Sequence, residues 1–258
     1  MKLEKDLQSP VRYGAHLAAF CCVGRRPEQQ DRYGVSEVDP QKGQLLLVAD
    51  GMGGLNHGGE ISHLLIDAML ESFERRPAED NAAAFLMQLL GDANGKVNAF
   101  LKGKEHGGST LLAALIRGRE MTWLSVGDSR IYLARGGGLI RLTREHNLSR
   151  KLHMLLLNGL MTPENIAASH QKRALTSYIG MGELAEVDLN MTPLTLLPGD
   201  TVLLLTDGVF GTLSEQEIAE TLRGDIRTAG CQLSEKVVQN QREVQDNFTA
   251  VLYRVDGD

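Results

Sequence analysis

Three aliphatic runs in this sequence end the same way. Leu45-Leu46-Leu47-Val48-Ala49 stops at Asp50-Gly51, Val202-Leu203-Leu204-Leu205-Thr206 at Asp207-Gly208, and Trp123-Leu124-Ser125-Val126-Gly127 at Asp128-Ser129. A buried strand ending in aspartate puts a carboxylate at the rim of a core, and a glycine beside it allows a sharp turn and a close approach. Asp-Gly is also a common turn dipeptide, so any single instance is more often a turn than a ligand. Several such rims brought together would crowd carboxylates that repel one another and raise their own pKa values. Hard cations relieve that repulsion, and an all-oxygen donor set without clustered Cys or His selects Mg2+ or Mn2+.

Other reactive residue types have plainer readings. Cys21-Cys22 lies in an apolar run and reads as strand packing rather than as a thiol nucleophile. Ser109 and Ser129 have no histidine near in sequence, so a Ser-His-Asp arrangement would need folding to supply one. Gly107-Gly108-Ser109 is not followed by the Gly-Lys-Ser/Thr of a phosphate-binding P-loop. His57 and His146 read as surface residues, and Lys172-Arg173 as a solvated pair.

The elements that must carry these residues follow from periodicity. Leu45–Ala49 is a short buried strand. Glu60 to Arg76 has helical spacing and is ended by Pro77; Ala82 to Leu101 is a second helix, weakened by Gly91 and Gly95. Ser109–Ile116, Met121–Val126 and Ile131–Ala134 read as an antiparallel meander with turns at 117–120 and 127–129, and another turn follows at Gly136-Gly137-Gly138. Residues 143–183 form a long surface excursion with a helical stretch at Leu148–Leu157, and partner selection is expected in 144–183. Val202–Leu205 is a strand, Ser214-Glu215-Gln216-Glu217 a capping box, Ser234–Gln245 a helix, and Phe248–Val255 a last strand. Helices and strands are segregated, which favours an α+β fold of packed antiparallel sheets over a doubly wound parallel one.

With 258 residues, 42% hydrophobic and 23% charged, the chain suits a soluble globular protein with a substantial core. Its net charge of −6 and its few aromatics (one Trp, five Tyr, six Phe) argue against nucleic-acid binding. The 3 cysteines do not make a disulfide framework, so a reducing compartment is expected. The opening MKLEKDLQSP lacks an apolar signal core, and no apolar run is long enough to span a bilayer; the expected location is cytoplasmic, with no membrane partner.

Six motifs then stand in order: Arg26 followed five positions later by Asp31, VADGMGG from Val48 to Gly54, GGST from Gly107 to Thr110, VGDSRIY from Val126 to Tyr132, LLLTDGVF from Leu203 to Phe210, and DNFTAVL from Asp246 to Leu252. Together they resemble the metal-dependent protein serine/threonine phosphatases, the type 2C family, over about residues 10–255, and the methionine of DGMGG has a bacterial look. The resemblance implies a four-layer α-β-β-α sandwich with two central antiparallel sheets, and one phosphatase domain over 1–258 with 144–183 as a flap-like excursion.

It also implies roles. Asp50 would bridge two Mn2+ or Mg2+ ions and the Gly51 carbonyl would bind one of them; Asp207 and Asp246 would complete the other site. Asp31 would act at the metal pair directly or through water, and Asp128 with Asp207 would hold a third, weaker ion. Arg26 would grip the substrate phosphate with a planar fork suited to its oxygens. The implied reaction is hydrolysis of phosphoserine or phosphothreonine in one step, by a water shared between the ions. The partner is a phosphorylated protein substrate of a bacterial serine/threonine kinase pathway, and the chain is expected to be monomeric.

Two departures stand out. Gln30 occupies a position where the family usually has Glu, which predicts weaker affinity for the second ion. Met52 cannot donate a proton, so the leaving alcohol must take one from water, or from His57 or His146. A non-catalytic metal- or phosphoprotein-binding regulator on the same fold is the alternative to an active phosphatase, and a two-metal hydrolase of other phosphoesters is a third reading.

Overall fold

The computed structural model describes residues 12–13, 16–52, 57–104, 107–163, 165, 174–241 and 243–255. Part of the DGMGG loop (53–56) and the Lys172-Arg173 pair lie outside them.

Two antiparallel sheets dominate. The first runs β1 (Arg12–Tyr13), β2 (Leu17–Cys22), β12 (Phe248–Arg254), β11 (Thr201–Leu205), β7 (Arg130–Arg135), β8 (Gly138–Arg141). The second runs β10 (Leu194–Thr195), β6 (Glu120–Val126), β5 (Leu111–Arg117), β4 (Gln44–Asp50), β3 (Asp31–Val35), with β9 (Asp188–Leu189) also on β6.

The bare aliphatic runs now have a cause. In β4, Leu45, Leu47 and Ala49 face α1 (Gly58–Arg75) and α2 (Ala82–Leu101), while Leu46 and Val48 face the other sheet. In β11, Leu203 and Leu205 face the helical side and Val202 and Leu204 the sheet between. Side chains alternate along a strand, so a strand covered on both faces must be apolar at every position. The outer helices on that second side are α4 (Asp207–Phe210), α5 (Glu215–Thr221) and α6 (Ile226–Gln239). The result is the four-layer α-β-β-α sandwich, with a shared core of Ala19, Leu46, Val48, Leu112, Ala114, Leu204 and Val251 between the sheets.

Several local expectations hold. The helices over 82–101 and 148–157 (α3) have the expected limits, and the box at Ser214 and Glu217 is closed in both directions. The Ser214 hydroxyl accepts from the Glu217 amide and the Glu217 carboxylate accepts from the Ser214 amide. Ser214→Ala is expected to cost about 1 kcal/mol in a urea unfolding titration.

Two expectations are corrected. The expected helix over Ser234–Gln245 instead spans 226–239, capped by Asp225, whose side chain accepts from Thr228 N. The expected three-stranded meander breaks after its second strand. β5 and β6 pair, but β7 joins β11 and β8 in the other sheet. The chain therefore crosses from sheet to sheet at Gly127-Asp128-Ser129, where Gly127 adopts φ +104°. The end of the excursion returns to the second sheet: Leu148 N donates to Ala174 O, Ser109 and Ile179 exchange backbone hydrogen bonds, and β9 pairs with β6.

Candidate active site

Strand parity aims the first carboxylates. Asp50 follows Leu46 and Val48 on the face turned toward the other sheet, and Asp31 is its directly opposed partner across β3–β4. Opposed residues in an antiparallel pair share a face, so both acids point into the seam between the sheets at one rim. From the far sheet, Thr206 at the end of β11 donates its hydroxyl to Asp31 Oδ2 at 2.8 Å.

Asp207 opens α4 one residue later, and Asp246 stands two residues before β12, the neighbour of β11. These loops are pressed together: a Cβ at Gly208 would collide with the Asn247 carbonyl. The Asn247 side chain then fastens the 23–30 loop, accepting from Gln30 N at 2.8 Å and donating to the Val23 and Glu28 carbonyls at 2.7 and 3.0 Å. That loop presents Arg26, whose Nη2 lies 2.7 Å from Asp246 Oδ2; the carboxylate raises the guanidinium's pKa. Asp128 arrives on the sheet-to-sheet crossover, which His146 holds at both ends of one residue. Its Nδ1 accepts from Gly127 N at 3.1 Å and its backbone amide donates to Gly127 O at 2.8 Å.

The electrostatics report a crowd. Burial and the charges of Asp207 and Asp246 push the Asp31 carboxyl up to about 7, against the pull of hydrogen bonds from Thr206 and Thr249. Asp50 is raised well above the carboxylate range by burial and by Asp31, Asp207, Asp128 and Asp246. Asp128 rises to about 7 through burial, Asp207 and Glu145. Asp50 is thus opposed by the charges of all four other sequence-selected aspartates, and Asp207 acts on Asp31, Asp50 and Asp128 alike, with Arg26 beside them. Among the described residues no group of three or more His, Cys, Asp or Glu side chains is spaced to hold a metal ion.

The donor chemistry fits a hard divalent cation: carboxylates that cannot all stay ionised unaided, at the backbone of Asp50-Gly51. That backbone is tightly cradled. Gly51 N donates to Gln30 O at 3.0 Å, Thr110 N and Ser109 Oγ donate to Asp50 O at 2.8 and 3.0 Å, and a Cβ at Gly51 would strike the Gly58 and Gln30 carbonyls.

The other candidates fall into place as supports. Ser109 spends its hydroxyl on the Asp50 and Thr110 carbonyls, and Ser129 pairs with Thr110 Oγ1 at 2.7 Å. The Cys21 and Cys22 thiols are pushed up to about 12, chiefly by burial, and sit in β2 as packing residues. His57 pairs with Glu60 and stacks edge-on against Phe100. His146 is not a surface residue, as expected from sequence, but 2% exposed, and burial lowers its pKa. Sequence reasoning overlooked Thr206, Thr110, Asn247 and Gln29, whose side chain accepts from Asp31 N at 2.9 Å. Three of them lie inside motifs where only the carboxylates drew notice.

The comparisons with known proteins bear on the family and the fold. The protein phosphatase 2C family model matches residues 25–243, a span that includes Arg26, Asp31, Asp50, Asp128 and Asp207 and stops short of Asp246. The serine/threonine phosphatase stp of Listeria innocua is 30% identical over 239 residues, 88% of this chain and 90% of its own. The crystal structure of the Mycobacterium tuberculosis serine/threonine phosphatase PstP/Ppp superposes with a TM-score of 0.75 at 28% identity, covering 93% of this chain and 98% of that one. The catalytic domain of PstP solved with two manganese ions gives 0.74 at 28% identity, with the same coverages of 93% and 98%. The chain belongs to the protein phosphatase 2C family and is a serine/threonine phosphatase.

Proposed function

We propose that this chain hydrolyses phosphoserine and phosphothreonine esters in proteins with Mn2+ or Mg2+ held at the seam between the sheets, as one phosphatase domain opposing a serine/threonine kinase in the bacterial cytoplasm. The observation that carries this reading is that Asp50 lies opposite Asp31 across β3–β4 and is opposed by the charges of Asp31, Asp128, Asp207 and Asp246, carboxylates delivered by separate segments to one rim. The manganese-bound relative and the bacterial curated relatives support it.

In this reading Asp50, the Gly51 carbonyl, Asp207 and Asp246 would hold the divalent ions. Asp31 would act at the ions directly or through water, and Asp128 with Asp207 would hold a third, weaker one. Bound divalent ions supply a water acidic enough to attack at neutral pH and neutralise phosphoryl charge.

The chain's own residues do the rest. Arg26 exchanges Asp246 for the phosphate and orients it for in-line attack. Thr206 and the 109–110 backbone keep Asp31 and Asp50 aimed at the seam. His57 is engaged with Glu60, and His146 is 2% exposed and tied to Gly127, so this reading assigns the leaving alcohol's proton to neither. Water is then the proton donor.

The test is a Mn2+ titration of chelated protein, followed by calorimetry and by release of phosphate from a phosphothreonine peptide. Both signals are expected to rise together. Binding without turnover would leave a metal-binding regulator, and absence of both would end the reading.

A further inference from the structure

The segment 178–182 runs beside the active-site loop rather than away from it. Asp50-Gly51-Met52 is bonded to Gly108-Ser109-Thr110, and Ser109 in turn exchanges backbone hydrogen bonds with Ile179 at 3.1 and 2.9 Å. Gly108 lies against Met52 Sδ and the Tyr178 ring, and Gly180 against the Gly107 carbonyl. On its far side this strip faces the C-terminal half of α2 across a cavity of about 760 Å3.

The cavity has a distinctive lining. Gly91 and Gly95 stand one turn apart on α2, and a Cβ at either would meet nothing within 4 Å. Asn94 and Asn98 hold the opposite wall by donating their side-chain amides to Gly182 O at 3.0 and 3.1 Å. Glu183 also lines the cavity, one residue beyond Gly182. At the end nearest the active site Lys102 and Lys104 are exposed, and Lys104 lies over the Phe100 ring, whose edge meets His57.

A cleft floored by two glycines with nothing within 4 Å of either Cβ position leaves room for an extended polypeptide to lie along α2. Two ammonium groups at its mouth outnumber the one carboxylate of its lining, Glu183, and on a protein of net charge −6 they suit acidic side chains. We propose that this groove binds the polypeptide flanking the phosphorylated residue of the substrate, and that Lys102 and Lys104 select flanks carrying Asp or Glu. The proposal rests on the reading of the Asp50 rim as the phosphate-hydrolysing centre.

The test compares three phosphothreonine peptides, with neutral flanks or with three aspartates before or after the phosphothreonine, alongside p-nitrophenyl phosphate, which has no flank. Wild type is expected to favour one acidic peptide over the neutral one by about fivefold in kcat/KM, the scale of two exposed ion pairs, and to lose the preference near 0.5 M salt, where screening is short-ranged. Lys102→Glu with Lys104→Glu should abolish or invert it. Gly95→Leu, on an exposed helix face, should slow all three peptides and leave p-nitrophenyl phosphate unchanged. Equal use of the three peptides by wild type, or a preference that survives the double substitution, overturns the groove while p-nitrophenyl phosphate hydrolysis leaves the catalytic reading intact. Failure to hydrolyse any substrate with Mn2+ overturns both.

Discussion

Asp50→Asn is expected to lower kcat/KM toward a phosphothreonine peptide by about a thousandfold or more, and at the same time to raise the melting temperature of the chelated protein by about 3 °C or more. Both effects have one origin. Asp50 sits where burial and four other aspartates oppose its charge. Keeping it ionised without a cation costs folding free energy; an amide of nearly the same shape removes that cost and relieves its neighbours. The same substitution removes the carboxylate proposed to hold both ions, so Mn2+ should stabilise the variant far less than the wild type. Calorimetric melts in chelator and in Mn2+, paired with steady-state hydrolysis, give the comparison. A variant that melts lower in chelator than wild type would show that Asp50 is there to support the fold, and one that stays active would remove it from the chemistry.

The pH dependence follows with a definite sign. Asp31 and Asp128 rise from an ordinary 3.8 to about 7 in the folded chain. Groups raised in this way contribute stability that is fully present below about pH 4, the unfolded value, and is lost as pH climbs through the folded value near 7. Metal-free protein should therefore lose stability between about pH 4 and 7 on account of these carboxyls, and saturating Mn2+ should flatten or reverse that slope. The rest of the molecule holds carboxylates of the opposite kind. Asp92, held at about 2 mainly by its hydrogen bonds from Arg76 and Ser72, contributes above the unfolded value and fails only in stronger acid.

What the sequence disclosed, and what it hid, depends on the kind of signal. Asp50 and Asp207 were legible because a strand buried on both faces is apolar without interruption, so its end is conspicuous. Asp246 follows no such strand and was legible only from the motif it opens. The crossover at 127–129 could not be read, since a glycine turn does not say which sheet the next strand will join. It matters for the site, because only by crossing does the chain carry Asp128 to the seam. The start of α6 was hidden by Gly230, a buried glycine in mid-helix that blurs the apolar period. Thr206, Asn247 and Gln29 carry no periodic signal at all. Their importance lies in hydrogen bonds to residues up to 224 positions distant along the chain, which local pattern cannot express.

Arg26→Ala separates the phosphate-holding role from the metal-holding one. In the structure Arg26 is about half exposed and its partner Asp246 similarly so. An ion pair that open to water adds little to stability, so the chelated variant should melt within about 1 kcal/mol of wild type, in contrast to Asp50→Asn. Catalysis should respond differently. A guanidinium that meets phosphate oxygens in a partly enclosed seam makes short, charge-assisted bonds, and its loss is expected to cost about a hundredfold in kcat/KM. Because the contact is to the phosphate itself, p-nitrophenyl phosphate and phosphopeptides should suffer alike, unlike the substitutions in the α2 groove. Arg26→Lys should recover only part of the loss, since an ammonium keeps the charge but lacks the fork. Mn2+ affinity supplies the remaining check. Arg26 competes with a cation for Asp246, so removing it should leave the calorimetric affinity unchanged or tightened. If instead affinity falls together with activity, Arg26 serves to arrange the metal loops, and the phosphate must be held by another group.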